Sequence, residues 1–142
     1  MFVKLILPAL AEAKTISKRS IKYSLFPPLG LATLAGYLSG DDEIVLEDEH
    51  VERLNLDDEP DLVGIETYIT SANRAYEIAD QYRARGVKVV LGGLHPTSLP
   101  DEALQHADAI VTGPAEEAWP RLLDDLRSGE MQPIYRSESR TL

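Results

Sequence analysis

The sequence predicts an α/β domain built on a doubly wound, five-stranded parallel sheet. Two observations indicate this fold class. Short β-branched runs alternate with helical patterns along the chain, and runs such as VKVVL and AIV are apolar at successive positions. Such strands are covered on both faces, as in a parallel sheet flanked by helices. With 142 residues, the chain has the size of one domain.

Five segments have the composition and length of strands. Each is a short run rich in valine, isoleucine, leucine or alanine. The predicted strands cover residues 2–7, 43–46, 62–65, 87–91 and 109–111. We expect a helix after each strand, because right-handed crossovers through helices connect parallel strands. All carboxyl ends then meet at one edge of the sheet, where the ligand crevice of such folds lies.

Four helices are predicted from apolar periodicity and from residues that favour helix ends. The predicted helices cover residues 29–38, 72–85, 98–107 and 116–127. Pro28 directly precedes the first helix and Gly40 follows it closely. Gly86 and Gly129 follow the second and the fourth, because glycine readily adopts the left-handed conformation that ends many helices.

The composition restricts the functions available to the chain. Its 24 acidic and 14 basic residues give a formal charge of -10, which repels phosphate backbones and disfavours nucleic-acid binding. The absence of cysteine excludes disulfides, thiolate metal sites and iron–sulfur ligation within these residues. No apolar run approaches the roughly 20 residues that span a bilayer. We therefore expect a cytoplasmic protein with no membrane partner.

Glycines follow two neighbouring strands of the predicted sheet. The fourth strand runs into Gly92 and Gly93, and the fifth ends close to Gly113. Positions without side chains allow a ligand to approach the main chain, so an extended group could enter between the sheet and a helix. The alternative is that these glycines only turn the chain.

The long segment between the first strand and the first helix is basic. It contains Lys14, Lys18, Arg19 and Lys22, which could contact an anionic ligand or a neighbouring domain, or form a solvated loop. If no cofactor binds, this loop favours a receiver-like or flavodoxin-like module that docks a protein partner. A flavin carrier ranks lower, because the loop lacks the serine, threonine and glycine run of a phosphate site.

An ordered series of segments resembles a known family. The segments are FPPLGLATLAGYL, DEHVERL, DLVGI, VVLGGLHPTSLPDEAL and HADAIVTGPAEEAWPRLLDDL, within residues 2–129. Together they resemble the N-terminal cobalamin-binding domain of cobalamin-dependent radical S-adenosylmethionine proteins, which has a Rossmann-like, flavodoxin-like fold. The resemblance implies a cobalamin-binding domain over residues 1–129, and a linker over 130–142 toward a catalytic domain outside this sequence.

The resemblance also implies where cobalamin binds. Residues carried over to the nucleotide tail are Gly92, Gly93, Thr97 and Gly113, with Glu116 nearby and His95 and Pro96 shaping the loop. Residues carried over to the corrin ring are Pro8, Leu10, Leu29, Gly30, Asp48, Glu49, Thr67, Tyr68 and Ser71, with Tyr68 below cobalt. The family usually has G-E-G-E where this chain has Gly113, Pro114, Ala115 and Glu116, which leaves the contact at Glu116 in doubt.

His50 invites a metal interpretation because it follows Asp48 in a D-x-H spacing. Classical cobalamin enzymes place an axial histidine in a DxHxxG signature after the first strand. Here the DEHVER segment follows the second strand and has Arg53 in place of the glycine. We therefore expect His50 not to be a ligand and this chain to contain no metal-binding residue.

The chemistry implied by the resemblance exceeds what this chain can perform. Radical chemistry needs S-adenosylmethionine and an iron–sulfur cluster held by a CxxxCxxC motif, and the sequence has no cysteine. We expect these groups in a C-terminal radical domain. The chain is then the binding module of a larger enzyme that performs methyl transfer or related radical chemistry on an unactivated carbon, and it contains no catalytic residue. Substrate and oligomeric state are open at this point.

Overall fold

The computed structural model describes residues 1–9 and 29–137. The described residues form a six-stranded sheet in the order β2-β1-β3-β4-β5-β6, and every adjacent pair of strands is parallel. The strands are β1 (Phe2–Leu7), β2 (Glu43–Asp48), β3 (Leu62–Glu66), β4 (Lys88–Gly92), β5 (Ala109–Thr112) and β6 (Ile134–Arg136). From β1 the chain adds β2 on one side and then β3 to β6 on the other, so the strand order reverses between β1 and β3, which is the position where doubly wound folds bind ligands.

Helices cover both faces of the sheet. They are α1 (Leu29–Ala35), α2 (Ala72–Ala84), α3 (Leu94–Ser98), α4 (Pro100–Leu104) and α5 (Ala115–Ser128), and a 3₁₀ turn at Ile69–Ser71 precedes α2. Helices α1 and α5 pack on one face against alternate β1 residues such as Leu5. Helices α2 and α4 pack on the other face, against Ile6 and its neighbours. The predicted fold class is thus confirmed, with strands apolar on both faces because each face carries a helix layer.

The sheet has six strands, and the prediction of five was wrong. The additional strand β6 pairs with β5, placing Tyr135 beside Val111. The Tyr135 side chain is buried, and its hydroxyl donates a hydrogen bond to Asp125 Oδ2 at 2.7 Å. Part of the segment assigned to a linker therefore belongs to the sheet. A strand of three residues is too short to show a period of two in the sequence.

No helix follows β2 within the described residues 49–61, which corrects the expectation of a helix after every strand. Leu54 and Leu56 of this loop pack against the core on the α2 face. Beneath the loop, the fully buried Lys4 ammonium lies 3.1 Å from Glu47 Oε1 and 2.8 Å from Asp58 Oδ2. It also donates a hydrogen bond to the main-chain oxygen of Asn55. A buried ion-pair network thus holds this loop on the sheet.

Two helix boundaries differ from the predicted ones. Helix α1 ends at Ala35, three residues before the predicted end. The predicted third helix corresponds to α4, which begins at Pro100 and ends at Leu104, whereas the short helix α3 before it was not predicted. Pro100 explains the separate start of α4, because proline favours the first turn of a helix and cannot donate a hydrogen bond to the preceding turn. In the part of the chain that the structure describes, no helix is long and apolar enough to cross a membrane.

Candidate functional site

An apolar cleft opens at the carboxyl edge of the sheet, between its strands and helices α1 and α5. Its volume is ≈ 470 Å³. The lining residues are Leu5, Gly30, Leu31, Leu34, Gly64, Ile65, Glu66, Tyr68, Val90, Gly92, Gly93, Leu94, Thr97, Val111, Gly113, Pro114, Ala115, Glu116 and Trp119. Strands β1, β3, β4 and β5 all contribute, so the cleft extends from the reversal point of the sheet to the tip of β5.

Trp119 of α5 positions the helix wall of the cleft. Its indole is buried, and Nε1–H donates a hydrogen bond to the main-chain oxygen of Leu34 at 3.0 Å. Leu34 lies in the last turn of α1, so this bond joins the two helices that cover the same face of the sheet. The helices are therefore fixed relative to each other on one side of the cleft.

Gly64 leaves the floor of the cleft without a side chain. A Cβ atom at this position would lie 2.9 Å from Leu5 Cδ2 and 3.7 Å from Trp119 Cη2. Gly64 was not predicted as a site residue. The available signal was a glycine in the middle of the apolar strand LVGIE, since such a glycine often marks the close approach of a ligand.

Gly92, which ends β4, and Gly93, which follows it, have two different roles. Gly93 has φ +109, and a Cβ atom there would lie 2.7 Å from the main-chain oxygen of Thr67. The close approach of the loops after β3 and β4 thus requires glycine at position 93, whatever binds in the cleft. At Gly92 a Cβ atom would lie 3.8 Å from Val111 Cβ, an ordinary contact. The fold therefore accepts a Cβ atom at Gly92, which also lines the cleft.

Thr97 joins the tips of β4 and β5. Its hydroxyl donates a hydrogen bond to the main-chain oxygen of Gly93 at 2.8 Å and accepts one from the Gly113 amide at 3.0 Å. Gly113 has φ +77, a conformation that favours glycine. The predicted tail residues Thr97, Gly92, Gly93 and Gly113 therefore all lie at the cleft, together with Glu116.

Glu66 and Tyr68 form a hydrogen-bonded pair at the mouth of the cleft. The Tyr68 hydroxyl donates to Glu66 Oε1 at 2.7 Å, and the ring is 40% exposed. This hydrogen bond, with partial burial and the Glu66 charge, raises the pKa of Tyr68 from 10.0 to about 12. Gly30 of α1 lies opposite, since a Cβ atom there would be 3.7 Å from Glu66 Oε1. Gly30 and Tyr68, which were predicted at the corrin ring, thus both lie at the mouth of the cleft.

We expect the Tyr68–Glu66 contact to be lost in alkali. Because the Tyr68 pKa is raised in the folded protein, its stabilising contribution is complete below pH 10.0 and disappears as the pH rises through about 12. Replacing Glu66 with glutamine removes the charge and should return the Tyr68 pKa toward 10.0. Ultraviolet absorbance of tyrosinate would follow this titration, with Tyr68→Phe identifying the step that belongs to Tyr68. An unchanged titration in Glu66→Gln would contradict the assignment.

Asp48 and Glu49, predicted at the corrin ring, lie outside the cleft lining. Glu49 is paired with Arg74, whose Nη2 lies 2.8 Å from Oε2, and Glu49 also accepts a hydrogen bond from the Ala9 amide at 3.3 Å. Asp48 Oδ1 lies 2.8 Å from His50 Nδ1 and accepts a hydrogen bond from the His50 amide. These side chains stabilise the loop after β2.

The loop residues Thr67 and Ser71 are buried within their own turn. The Thr67 amide donates to the main-chain oxygen of Gly92 at 2.7 Å, and Ser71 Oγ accepts a hydrogen bond from the Tyr68 amide at 3.2 Å. Both residues shape the loop that carries Tyr68 and lie outside the cleft lining.

His95 and Pro96 are also buried and lie outside the lining. His95 Nε2 lies 2.7 Å from Glu102 Oε2, which accepts a hydrogen bond from the Tyr76 hydroxyl at 2.8 Å. These two contacts lower the pKa of Glu102. His95 therefore fastens the loop after β4 to α2 and α4, away from the cleft.

The remaining predicted positions are at the edge of the described chain. Pro8 is buried directly after β1 and outside the cleft lining, and Leu29 begins α1. Leu10 and the basic residues Lys14, Lys18, Arg19 and Lys22 lie outside the described residues. Among the described residues, no three histidine, aspartate or glutamate side chains converge as a metal site would require.

Comparisons with known proteins point to one family. The sequence model of the B12 binding domain matches residues 22–123, more than half of the chain. Bacteriochlorophyllide d C-8(2)-methyltransferase of Chlorobaculum tepidum is 43% identical over 111 residues, covering 78% of this chain and 25% of that protein. Bacteriochlorophyllide d C-12(1)-methyltransferase of the same organism is 37% identical over 79 residues, covering 56% of this chain and 17% of that protein.

One solved structure shares the fold. The N-terminal domain of a hypothetical protein from Thermotoga maritima aligns with a TM-score of 0.50 and 21% identity, covering 86% of this chain and 98% of that one. The chain spans a quarter or less of the length of the two methyltransferases. With the parallel sheet, the open cleft at its carboxyl edge and the match over residues 22–123, the chain belongs to the B12 binding domain family.

Proposed function

We propose that this chain is the cobalamin-binding part of a larger, cobalamin-dependent methyltransferase. The observation that carries the proposal is the apolar cleft of ≈ 470 Å³, which opens at the carboxyl edge and has bare main chain at Gly64 and Gly92. A side chain at either position would reduce the space between the strands and the helices. Family membership supports cobalamin as the occupant.

The shape of the cleft fits one end of the cofactor. Cobalamin has a slender nucleotide tail and a broad corrin ring, and a slot between a sheet and a helix layer admits only the slender part. The tail would lie between Gly92, Gly113 and the helix wall at Trp119. The ring would rest on the carboxyl edge, where Tyr68 and Leu94 are 40% and 69% exposed.

The residues of this chain would bind, orient and shield the cofactor. Bound cobalamin supplies a cobalt centre that accepts and donates a methyl group. The aliphatic lining excludes water from the tail, while the Thr97 hydroxyl keeps the tips of β4 and β5 together. His50 Nδ1 is held 2.8 Å from Asp48 Oδ1, and His50 lies outside the cleft lining. We therefore propose that no histidine of this chain coordinates cobalt.

The catalytic reaction is assigned to another part of the larger protein. The two bacteriochlorophyllide methyltransferases are named for methyl transfer, and this chain spans 25% and 17% of their lengths. We propose that residues C-terminal to this domain bind S-adenosylmethionine and an iron–sulfur cluster through cysteines, which this sequence lacks. The chain would lead toward that domain after β6, which occupies part of the segment 130–142. The reaction would then be methyl transfer to an unactivated carbon by radical chemistry.

Binding of hydroxocobalamin tests the proposal directly. We expect the chain to co-elute with the red cofactor in gel filtration. Gly92→Leu should lower the affinity by about tenfold to a hundredfold, because a leucine side chain would overfill the cleft, whereas a Cβ atom at this position makes only an ordinary contact. Gly40→Leu is the matched control, since nothing lies within 4 Å of a Cβ atom at Gly40.

Equilibrium dialysis would give the dissociation constants of the wild type and both variants. Absence of co-eluting cofactor under aerobic and anaerobic conditions would overturn the proposal. Equal loss of binding in Gly92→Leu and Gly40→Leu would show that the cofactor does not occupy the cleft.

A further inference from the structure

We propose that the cleft selects the base at the end of the nucleotide tail, accepting a benzimidazole and discriminating against a purine. This inference rests on the proposed function, because it requires the tail to enter the cleft. Two features support it: among the described residues, the buried side chains that line the cleft offer no unpaired polar atom, and Gly64 leaves the floor of the cleft without a side chain.

The interior of the cleft is lined by aliphatic side chains and one indole. Leu5 and Val90 come from the sheet and Leu31 and Leu34 from α1, and all are buried. Trp119 supplies the only polar side-chain atom among the buried described residues of the lining, and that atom donates to the Leu34 main-chain oxygen at 3.0 Å. The same oxygen accepts a hydrogen bond from the Tyr37 amide at 3.2 Å. Both groups are therefore already occupied.

The polar residues of the lining lie at the mouth. Glu66 and Tyr68 are hydrogen-bonded to each other, and the Thr97 hydroxyl is shared between Gly93 and Gly113. Across the described residues, every buried side-chain nitrogen or oxygen atom has a hydrogen-bond partner. A base inserted into the cleft would find polar side chains only at the entrance.

This arrangement favours one class of base over another. The 5,6-dimethylbenzimidazole base presents methyl groups and ring carbons along most of its edge. Adenine presents an exocyclic amine and several ring nitrogens, which would lose their hydrogen bonds to water without gaining new ones from the buried side chains of the lining. Each buried and unpaired polar group lowers the affinity by roughly tenfold. The cleft should therefore bind the benzimidazole tail more tightly.

Gly64 sets the depth available to the base. A Cβ atom there would lie 2.9 Å from Leu5 Cδ2, so alanine would displace the Leu5 side chain at the floor. Gly64 also lies between Leu5 of β1 and Val90 of β4 in the sheet, and both of these side chains line the cleft. Gly64→Ala should therefore shorten the cleft and impair binding of any corrinoid that inserts its base.

Three corrinoids distinguish the possibilities: cobalamin, its adenine analogue pseudocobalamin, and cobinamide, which lacks the nucleotide. Dissociation constants would be measured by equilibrium dialysis with visible absorbance. We expect cobalamin to bind about tenfold to a hundredfold more tightly than pseudocobalamin. Cobinamide should bind more weakly than cobalamin. Equal or tighter binding of pseudocobalamin would overturn the selectivity while leaving the proposed function intact.

Variants test whether the cleft itself causes the selectivity. Gly64→Ala should weaken cobalamin binding and leave cobinamide binding unchanged, and Gly40→Ala should alter neither. Val111→Thr, which keeps the side-chain shape and adds a hydroxyl to the lining, should reduce the preference for cobalamin over pseudocobalamin. A preference unchanged by both Gly64→Ala and Val111→Thr would overturn the proposal. Failure of all three corrinoids to bind the wild type would overturn the proposed function as well.

Discussion

Replacing Lys4 with alanine is expected to destabilise the domain by about 3–5 kcal/mol. The Lys4 side chain is fully buried, and its ammonium neutralises the carboxylates of Glu47 and Asp58 at 3.1 and 2.8 Å. Removal of the amine leaves two partly buried carboxylates without the cation that they share. Urea denaturation followed by circular dichroism would measure the change in the free energy of unfolding.

Lys88→Ala provides the matched control for this effect. Its ammonium lies 3.8 Å from Asp108 Oδ1, but the side chain is 55% exposed. Exposed ion pairs contribute about 0–1 kcal/mol, so this variant should unfold close to the wild type. If Lys4→Ala were no less stable than Lys88→Ala, the assigned role of the buried network would be wrong.

Gly93→Ala is expected to lower the free energy of unfolding by about 1–3 kcal/mol and to weaken cobalamin binding. The positive φ of +109 is unfavourable for alanine, and the new Cβ atom would lie 2.7 Å from the Thr67 main-chain oxygen. That oxygen accepts a hydrogen bond from the His95 amide at 3.2 Å. Relief of the clash must therefore separate the loops after β3 and β4 at the mouth of the cleft.

Gly92→Ala separates this strain from simple loss of space. Position 92 has no positive φ, and its Cβ atom would make only an ordinary contact at 3.8 Å with Val111. We expect Gly92→Ala to be near the wild type in urea denaturation, whereas Gly93→Ala is clearly destabilised. Equal stability of the two variants would contradict the close approach seen at Gly93. Isothermal titration with hydroxocobalamin would report the accompanying change in affinity.

The strand tips could be predicted because they follow from local pattern and fold class alone. Runs of buried β-branched residues located β1, β3, β4 and β5, and parallel pairing places their carboxyl ends at one edge. Gly92, Gly93 and Gly113 directly follow or end such strands, so their position at the cleft required no knowledge of side-chain packing. The different roles of Gly92 and Gly93 could not be predicted. Glycine is required at position 93 because of its distance to the separate loop at Thr67.

Other site residues depend on contacts between distant segments. Glu49 is polar and follows a strand, as a ligand contact would, yet its carboxylate is paired with Arg74 of α2. His95 adjoins the glycines but is turned toward Glu102 of α4. Neither partner could be identified from the local sequence, since the pairing requires helices to be packed against the sheet.

The amino-acid sequence by itself determined the α/β class, the edge at which the cleft opens and the glycines at its tips, because these follow from short-range periodicity and from the conformational freedom of glycine. Only the tertiary structure decided the sixth strand, the helix-free connection over Lys4 and the bare floor at Gly64. Each of these depends on atoms that are far apart along the chain and meet only when the two helix layers close on the sheet.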